Sequence, residues 1–551
     1  MLRLKRQLIL VVAVSLIIAV LPLFSLASWP QTTSFFVESN YDLFDRTQID
    51  TQLLKITNNI YFYADEDWYN HFSDKTQLDA QLYNLASDFE YKTYPTLTSI
   101  LGLEDNLGVD NDSRMVIVLE SLKTNFGGYV RSIDQYSKRI EKMSNEGQVI
   151  FLNADNVINV PLSLLNYELA HEFTHLITLK QKPQAETWFS ELISEFSGSL
   201  LNYDSDGMVL KKRAQAMLYS TEVNLKDWNN SEQDYGKIKL FGLYLQEQFG
   251  NKFLADALKY PSNDGIISFS GSLREDNIAM NIDNIVLNWL IANLDNNCQV
   301  STEYCYKNPA LTNFHVIPYT YFLPAQSKSS LSVTDSLKTW TGKWQKLTGG
   351  LGTLDLKFTI PEATPITKIP YIIEDNTGKK TVGLLDFSST NTQELYVDNM
   401  GTTNIAVYFI PFIGSSGQEG KTYYYSWQAT NLKSDSQTNQ DVINTLLQRI
   451  DELKRQVVSL KLQLALLQTN QSNVTCAIFS NDLYYGITSP QVKCLQQFLT
   501  NLGSSIYPEK LITGYYGPLT QAAVQRYQAL KGIMTTGYFG PLTRAAANQN
   551  F

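Results

Sequence analysis

His171-Glu172-Phe173-Thr174-His175 is the segment whose residue types and spacing could do chemistry. On a helix, positions four apart lie one turn apart on the same side, so both imidazoles can reach a single ion. Glu172 then stands beside that ion and can take a proton from water. Zinc suits such donors, because it lowers the pKa of water toward ~7 and polarises a carbonyl. Chance explains the pattern poorly. With only 4 histidines in 551 residues, its expected occurrence is on the order of one in a thousand.

A two-histidine site needs a third ligand. Glu186-Thr187-Trp188-Phe189-Ser190-Glu191-Leu192-Ile193-Ser194-Glu195 follows after a short connection containing Pro183. On a helix, Trp188, Leu192, Phe196 and Leu200 share an apolar side, and Glu191 and Glu195 share the other. Glu191 is the expected third ligand. Glu195 is expected to orient a ligating histidine through its free N–H.

The elements around these residues must hold them in place. Leu162, Leu165, Leu169, Phe173 and Leu176 form an apolar stripe opposite His171 and His175, so the histidines should face a cleft. Amphipathic stretches are expected to form helices over Gln77–Tyr94, Pro161–Thr178, Trp188–Leu201 and Ile238–Phe249. Ile60–Tyr63, Met115–Glu120 and Val149–Asn153 have strand character. Substrate backbone is expected to pair with an exposed strand edge, with Val149–Asn153 as the candidate.

His-Glu-x-x-His followed by Trp-x-x-Glu-x-x-x-Glu resembles the gluzincin metallopeptidases. Over about residues 50–300 the chain is similar to the hyicolysin family of secreted bacterial peptidases. The similarity runs through Phe126-Gly127-Gly128-Tyr129, Ser144-Asn145-Glu146, Leu169–Ile177, Glu186-Thr187-Trp188, Tyr244–Gly250 and Asn288–Asn293. It departs at Leu192, where many gluzincins have glycine. The resemblance implies an α+β, thermolysin-like catalytic unit with Zn2+ as cofactor and a protein or peptide as substrate. It also implies that Tyr235, in Tyr235-Gly236-Lys237 leading into a helix, is similar to the oxyanion-stabilising tyrosine of aminopeptidase N-like gluzincins. Core packing is the alternative role for Tyr235.

Other features bound the whole chain. A formal charge of −10 without a basic stripe argues against nucleic acid as a partner. Arg3, Lys5 and Arg6 precede an apolar run, with small residues at Ser25 and Ala27, which is the layout of a signal peptide over residues 1–27. Retention of that run as an anchor is the alternative. Export makes Cys298/Cys305 and Cys476/Cys494 expected disulfides, and neither pair has zinc-knuckle spacing. The expected location is therefore secreted or extracellular, associated with the cell envelope.

At this length several domains are expected. The catalytic unit should span 28–330. Regular strand spacing over 331–432 suggests an all-β sandwich. Within 433–470, Ile443, Leu446, Ile450, Leu453, Val457, Leu460, Leu464 and Leu467 keep a heptad period, which allows a coiled-coil homodimer through 443–467. In 471–551, Gly514-Tyr515-Tyr516-Gly517-Pro518-Leu519-Thr520 recurs as Gly537-Tyr538-Phe539-Gly540-Pro541-Leu542-Thr543. This region, with Leu495-Gln496-Gln497-Phe498-Leu499 and Val524–Gln528, resembles the peptidoglycan-binding domain of bacterial wall enzymes, a small three-helix module. That resemblance implies peptidoglycan as a partner. The combined reading is a secreted zinc endopeptidase tethered to the wall. Its rivals are a peptidase of peptidoglycan cross-links and a non-catalytic wall-binding scaffold with a relic zinc site.

Overall fold

β3 (Ile60–Asp65), β4 (Met115–Glu120) and β6 (Val149–Asn153) are buried along their whole length. Strands that are apolar throughout belong in a parallel sheet covered on both faces, and these three pair in parallel in that order. In the computed structural model, residues 29–432 and 478–549 are described, except 106, 124–126, 326–327 and 509. β1 (Thr32–Phe36) and β2 (Gln48–Ile56) extend the sheet antiparallel on one side, and β5 (Gly128–Val130) on the other. The order is β1-β2-β3-β4-β6-β5. β6 is therefore an inner strand, not the exposed edge expected of Val149–Asn153; β5 takes the edge. A strand's sequence shows that it is buried, not who its neighbours are.

The two faces of the sheet alternate as the pleat requires. Phe62, Ile117 and Leu152 join the helical core, whereas Tyr63, Val118 and Phe151 pack with Phe35 and Tyr129 on the far side. On the helical side, the histidine helix (Leu162–Gln181) buries Leu165, Leu169, Phe173 and Leu176. Each such side chain contributes roughly 2 kcal/mol. The helix ends at Lys182, immediately before Pro183, whose ring excludes the helical conformation from the preceding residue. The chain turns back into the glutamate helix (Thr187–Leu200), which packs on the histidine helix and on a third helix (Glu232–Phe249). Ser231 and Asp234 start that third helix with a reciprocal capping box. The expected helix Gln77–Tyr94 is instead Lys75–Asp88, a π turn over Phe89–Thr93, and Tyr94–Leu101. Pro95 lacks the N–H that an unbroken α-ladder would need there.

The all-β region places two groups of strands around one core without fully separating them. Its strands join into one nine-stranded sheet around a core that includes Leu354, Phe358, Phe409 and Trp427. The joint is a single pair, Met400 with Asn404, linking Thr392–Met400 to Asn404–Phe409, which itself pairs with Lys368–Asp375 and Gln345–Gly349. The expected boundary at 330 is not a break either. Tyr319–Leu323 pairs forward with Gln345–Gly349, and Thr341–Lys343 pairs with Glu222–Asn224. Trp344 is buried in the helical core and donates to the Leu290 carbonyl at 2.9 Å. Lys226 ties Glu186 (2.7 Å), Asp264 (2.9 Å) and Glu419 together.

The chain divides into two compact units, Met1–Thr438 and Asn439–Phe551. In the second, helices Pro490–Asn501, Pro518–Leu530 and Pro541–Asn548 surround Phe479, Leu495, Tyr516, Val524, Tyr527 and Phe539. Cys298 and Cys305 form a disulfide, Cys494 is disulfide-bonded, and no described cysteine is free. Cys476, the signal segment 1–27 and the heptads of 433–470 lie outside the described residues. No described helix is long and apolar enough to cross a membrane.

Candidate metal centre and the C-terminal repeat

One turn of the histidine helix brings His171 Nε2 and His175 Nε2 to 3.2 Å from each other. Glu191, arriving on the glutamate helix, places Oε2 at 3.3 Å from the first and 3.6 Å from the second. These edges match one face of a tetrahedron built on metal–ligand bonds of about 2.0–2.2 Å. Glu191 Oε2 is buried and, among the described residues, has no well-aligned hydrogen bond, its nearest partners being the two ring nitrogens at ion-pair range. A buried carboxylate oxygen left in that condition is costly unless something positive meets it. The donor set therefore fits a zinc ion, with His171, His175 and Glu191 as the groups that would hold it.

Charge at this centre is tightly balanced. Burial alone would lower the His171 pKa, but the Glu191 carboxylate, followed by Glu172, pushes it up to about 9. Burial alone would raise Glu191, but His175 and His171 hold it well below the usual carboxylate range. Burial pushes Glu172 up against the pull of His171 and His175. A carboxyl biased in that direction is a stronger base than one in water. β5 closes the other side: a Cβ on Gly128 would lie 2.7 Å from the Phe151 carbonyl and 3.0 Å from Glu172 Cγ. Only glycine lets this edge strand come so close to Glu172.

The remaining expected residues are distributed differently. Glu195 does not hydrogen-bond a histidine among the described contacts. It accepts from Tyr167 Oη at 2.5 Å and Arg213 at 2.9 Å, with Lys239 Nζ at 3.6 Å. The outer contacts of His175 are made instead by Ser190 and Ser194, each with Oγ 3.2 Å from Nδ1. A proton on Nδ1 donated to these hydroxyls leaves Nε2 free to ligate. Ser190 and Ser194 were visible in sequence as an i, i+4 pair beside Glu191. Leu192 is fully buried over Gly242 of the third helix, so the two helices approach closely through a glycine on the partner helix.

Tyr235 lies in the first turn of the third helix. Its hydroxyl donates to Asn230 at 3.1 Å, and its ring lies beneath the Arg213 guanidinium and against Trp228. Burial raises this phenol far above its ordinary value, with Glu191 and Glu172 adding to the effect. Tyr41, from the segment after β1, is raised by burial and then by Glu191. Its ring rests on Tyr129 of β5 at 5.0 Å. Nothing in the sequence separates Tyr41 from the other tyrosines, because only the tertiary fold brings it here.

In the second unit the repeat is built twice by the same device. Buried Gln496 donates to the Tyr515 carbonyl (2.8 Å) and Thr520 Oγ1 (2.9 Å), and accepts from Gly514 N–H (2.8 Å). Buried Gln528 repeats this with the Tyr538 carbonyl (2.8 Å), Thr543 Oγ1 (3.0 Å) and Gly537 N–H (2.9 Å). Each threonine thus meets the buried glutamine of the preceding helix.

Residues 488–547 match the family model of the peptidoglycan binding domain. No curated protein matches the chain. Among solved structures, Aeromonas hydrophila PliG, a periplasmic lysozyme inhibitor of g-type lysozyme, is 9% identical over 20% of this chain and 96% of that chain. The TM-score of that match is 0.15.

Proposed function

We propose that the protein is a zinc-dependent endopeptidase held at the bacterial wall by its C-terminal domain. The observation that carries the catalytic reading is the convergence of His171, His175 and an otherwise unsatisfied Glu191 oxygen, with Glu172 beside them. The tether reading rests on the peptidoglycan binding domain match at 488–547. Zinc, when bound, supplies a Lewis acid that acidifies water and polarises a carbonyl.

The chain's own residues supply the rest. Glu172 takes a proton from the attacking water and returns it to the departing amine, in keeping with its burial-raised pKa. Tyr235 is the candidate donor to the oxyanion, provided its hydroxyl exchanges Asn230 for substrate. β5 is an edge strand against Glu172, so an extended peptide can pair with its backbone and lie across the centre.

Glu172→Gln tests the base directly. Zinc content should stay unchanged while peptide cleavage falls by ~10²–10⁴-fold. An active Glu172→Gln enzyme would remove the assignment. The wall-binding domain also favours a second reading, in which cross-linking peptides are the substrate. Parallel incubation with casein and with isolated sacculi separates the two, and no cleavage of either would leave a scaffold.

A further inference from the structure

Tyr515 and Tyr538 occupy equivalent places in the two repeat turns and are 41% and 42% exposed. Each ring folds over the glycine two residues ahead. A Cβ would lie 3.1 Å from Tyr515 Cε1 at Gly517, and 2.3 Å from Tyr538 Cε1 at Gly540. Each tyrosine N–H donates to the threonine two residues before it, Thr513 at 3.2 Å and Thr536 at 3.1 Å. Backbone and ring are thus fixed in the same way at both turns.

A second pair of tyrosines faces them. The segment Leu483–Thr488 bridges to both turns, through Leu483 with Phe539 and Thr488 with Tyr515. Between the bridges it carries Tyr484 and Tyr485. The Tyr484 ring lies 6.4 Å from that of Tyr538, and Tyr485 lies near enough to the Tyr515 phenol to add to the effect of burial in raising its pKa. The result is two tyrosine pairs, one at each repeat.

We propose that these two pairs are the wall-contacting surface, each seating one sugar ring of the peptidoglycan glycan strand. The proposal rests on the wall-binding reading of this domain and names its ligand. A tyrosine presents an apolar face and a polar rim, which complements a pyranose with its C–H face and hydroxyl edge. Beside the second pair, Asp482 is met by Arg544 at 2.9 Å and by the Tyr538 hydroxyl, while the stem of Lys493 packs on Gly514 beside the first. The charge beside the second pair is thus neutralised within the protein, which favours a neutral sugar face there over the carboxylate-bearing stem peptide. Two equivalent subsites also suit a polymer of repeating units, because the second contact forms at high effective concentration once the first is made.

The test uses the full-length protein, with binding measured to isolated sacculi and to peptide-free glycan strands. Tyr515→Ala and Tyr538→Ala should each weaken binding about tenfold, the scale of a ring lost from a stacking platform, and the double variant further. Tyr515→Phe and Tyr538→Phe keep the ring and should bind within about twofold of the unaltered protein. Tyr485→Ala, at a 52% exposed position, gives a second reading if a turn variant melts early, and should also weaken binding. Normal binding by the double alanine variant, or by Tyr485→Ala, overturns the proposal. So does loss in the phenylalanine variants equal to that in the alanine variants, or competition by free stem peptides but not by peptide-free glycan. Failure of the unaltered protein to pellet with sacculi overturns the wall-binding reading itself, and this proposal with it.

Discussion

Glu191 and Glu195 stand one turn apart on one helix, yet their surroundings are opposite. Glu191 faces two histidines and keeps a buried oxygen with no well-aligned hydrogen bond among the described residues. Glu195 accepts from Tyr167 and Arg213, with Lys239 close by, and its pKa is lowered to about 2 by Arg213 and Lys239 against the opposing effect of burial. One carboxylate is left short of partners where an ion would fit; the other is fully provided for by fixed cations. A binding group must keep something in reserve, whereas a structural group is best satisfied by the protein itself.

The largest expected effect tests the first half of that contrast. Glu191→Ala removes one of three ligands, so zinc affinity should fall by more than the ~10–100-fold cost of losing an outer partner. Competitive titration against a chelator measures it. Zinc should also stabilise the unaltered protein, by about 4 kcal/mol at a thousandfold excess over Kd and so with a higher melting temperature, and do so far less in the variant. Equal zinc affinity in Glu191→Ala would erase the distinction between the two glutamates.

The second half predicts a different failure. Glu195→Ala leaves buried Lys239 without a carboxylate and Arg213 with only the exposed Glu232, and breaking a buried pair in this way costs up to ~3–5 kcal/mol. Denaturant unfolding should show that loss while zinc per chain stays near that of the unaltered protein. A variant of normal stability that cannot hold zinc would exchange the two roles.

This contrast also marks how far the sequence could be read. His171, Glu172 and His175 are legible because one helix holds all three, and a period of 3.6 residues fixes their geometry. Glu191 follows from the next helix and the Pro183 turn. The partners of Glu195 come from Met208–Met217 and Glu232–Phe249 as well as the histidine helix, so its polar-face position could not distinguish a histidine from an arginine. The edge strand was misplaced for a related reason, since β5 is only three residues long and carries little periodic signal beside the fully apolar β6. The C-terminal repeat was legible because its device is local: a glutamine, a turn and a threonine within one short span. The β-rich region showed its strands but not their order, which depends on pairings tens of residues apart.

Glu120, at the end of β4, sharpens the comparison with the smallest expected effect. It is a third buried carboxyl, with neither an ion site nor a cation of its own. Oε2 accepts from Tyr129 at 2.8 Å, while no described residue donates to Oε1. Asp42 lies beside it and is already paired with Arg46 at 2.7 Å, and Arg46 also holds Asp65 at 2.6 Å. Burial, reinforced by Asp42, pushes Glu120 up to about 8 despite the Tyr129 hydrogen bond. Between its unfolded value near 4.5 and about 8, the folded chain keeps a proton that the unfolded chain has released. Stability should therefore fall as pH rises through that window, by at most ~1.4 kcal/mol per unit. Glu120→Gln keeps an oxygen for Tyr129 and adds an N–H donor that Asp42 can accept, without a charge to desolvate. Its unfolding free energy should lack this slope, gaining about 1 kcal/mol on the unaltered protein between pH 6 and pH 7. Unfolding titrations across that interval measure the difference. Identical slopes in the two proteins would mean that Glu120 is ionised in the fold, and that Arg46 serves it as Arg213 serves Glu195.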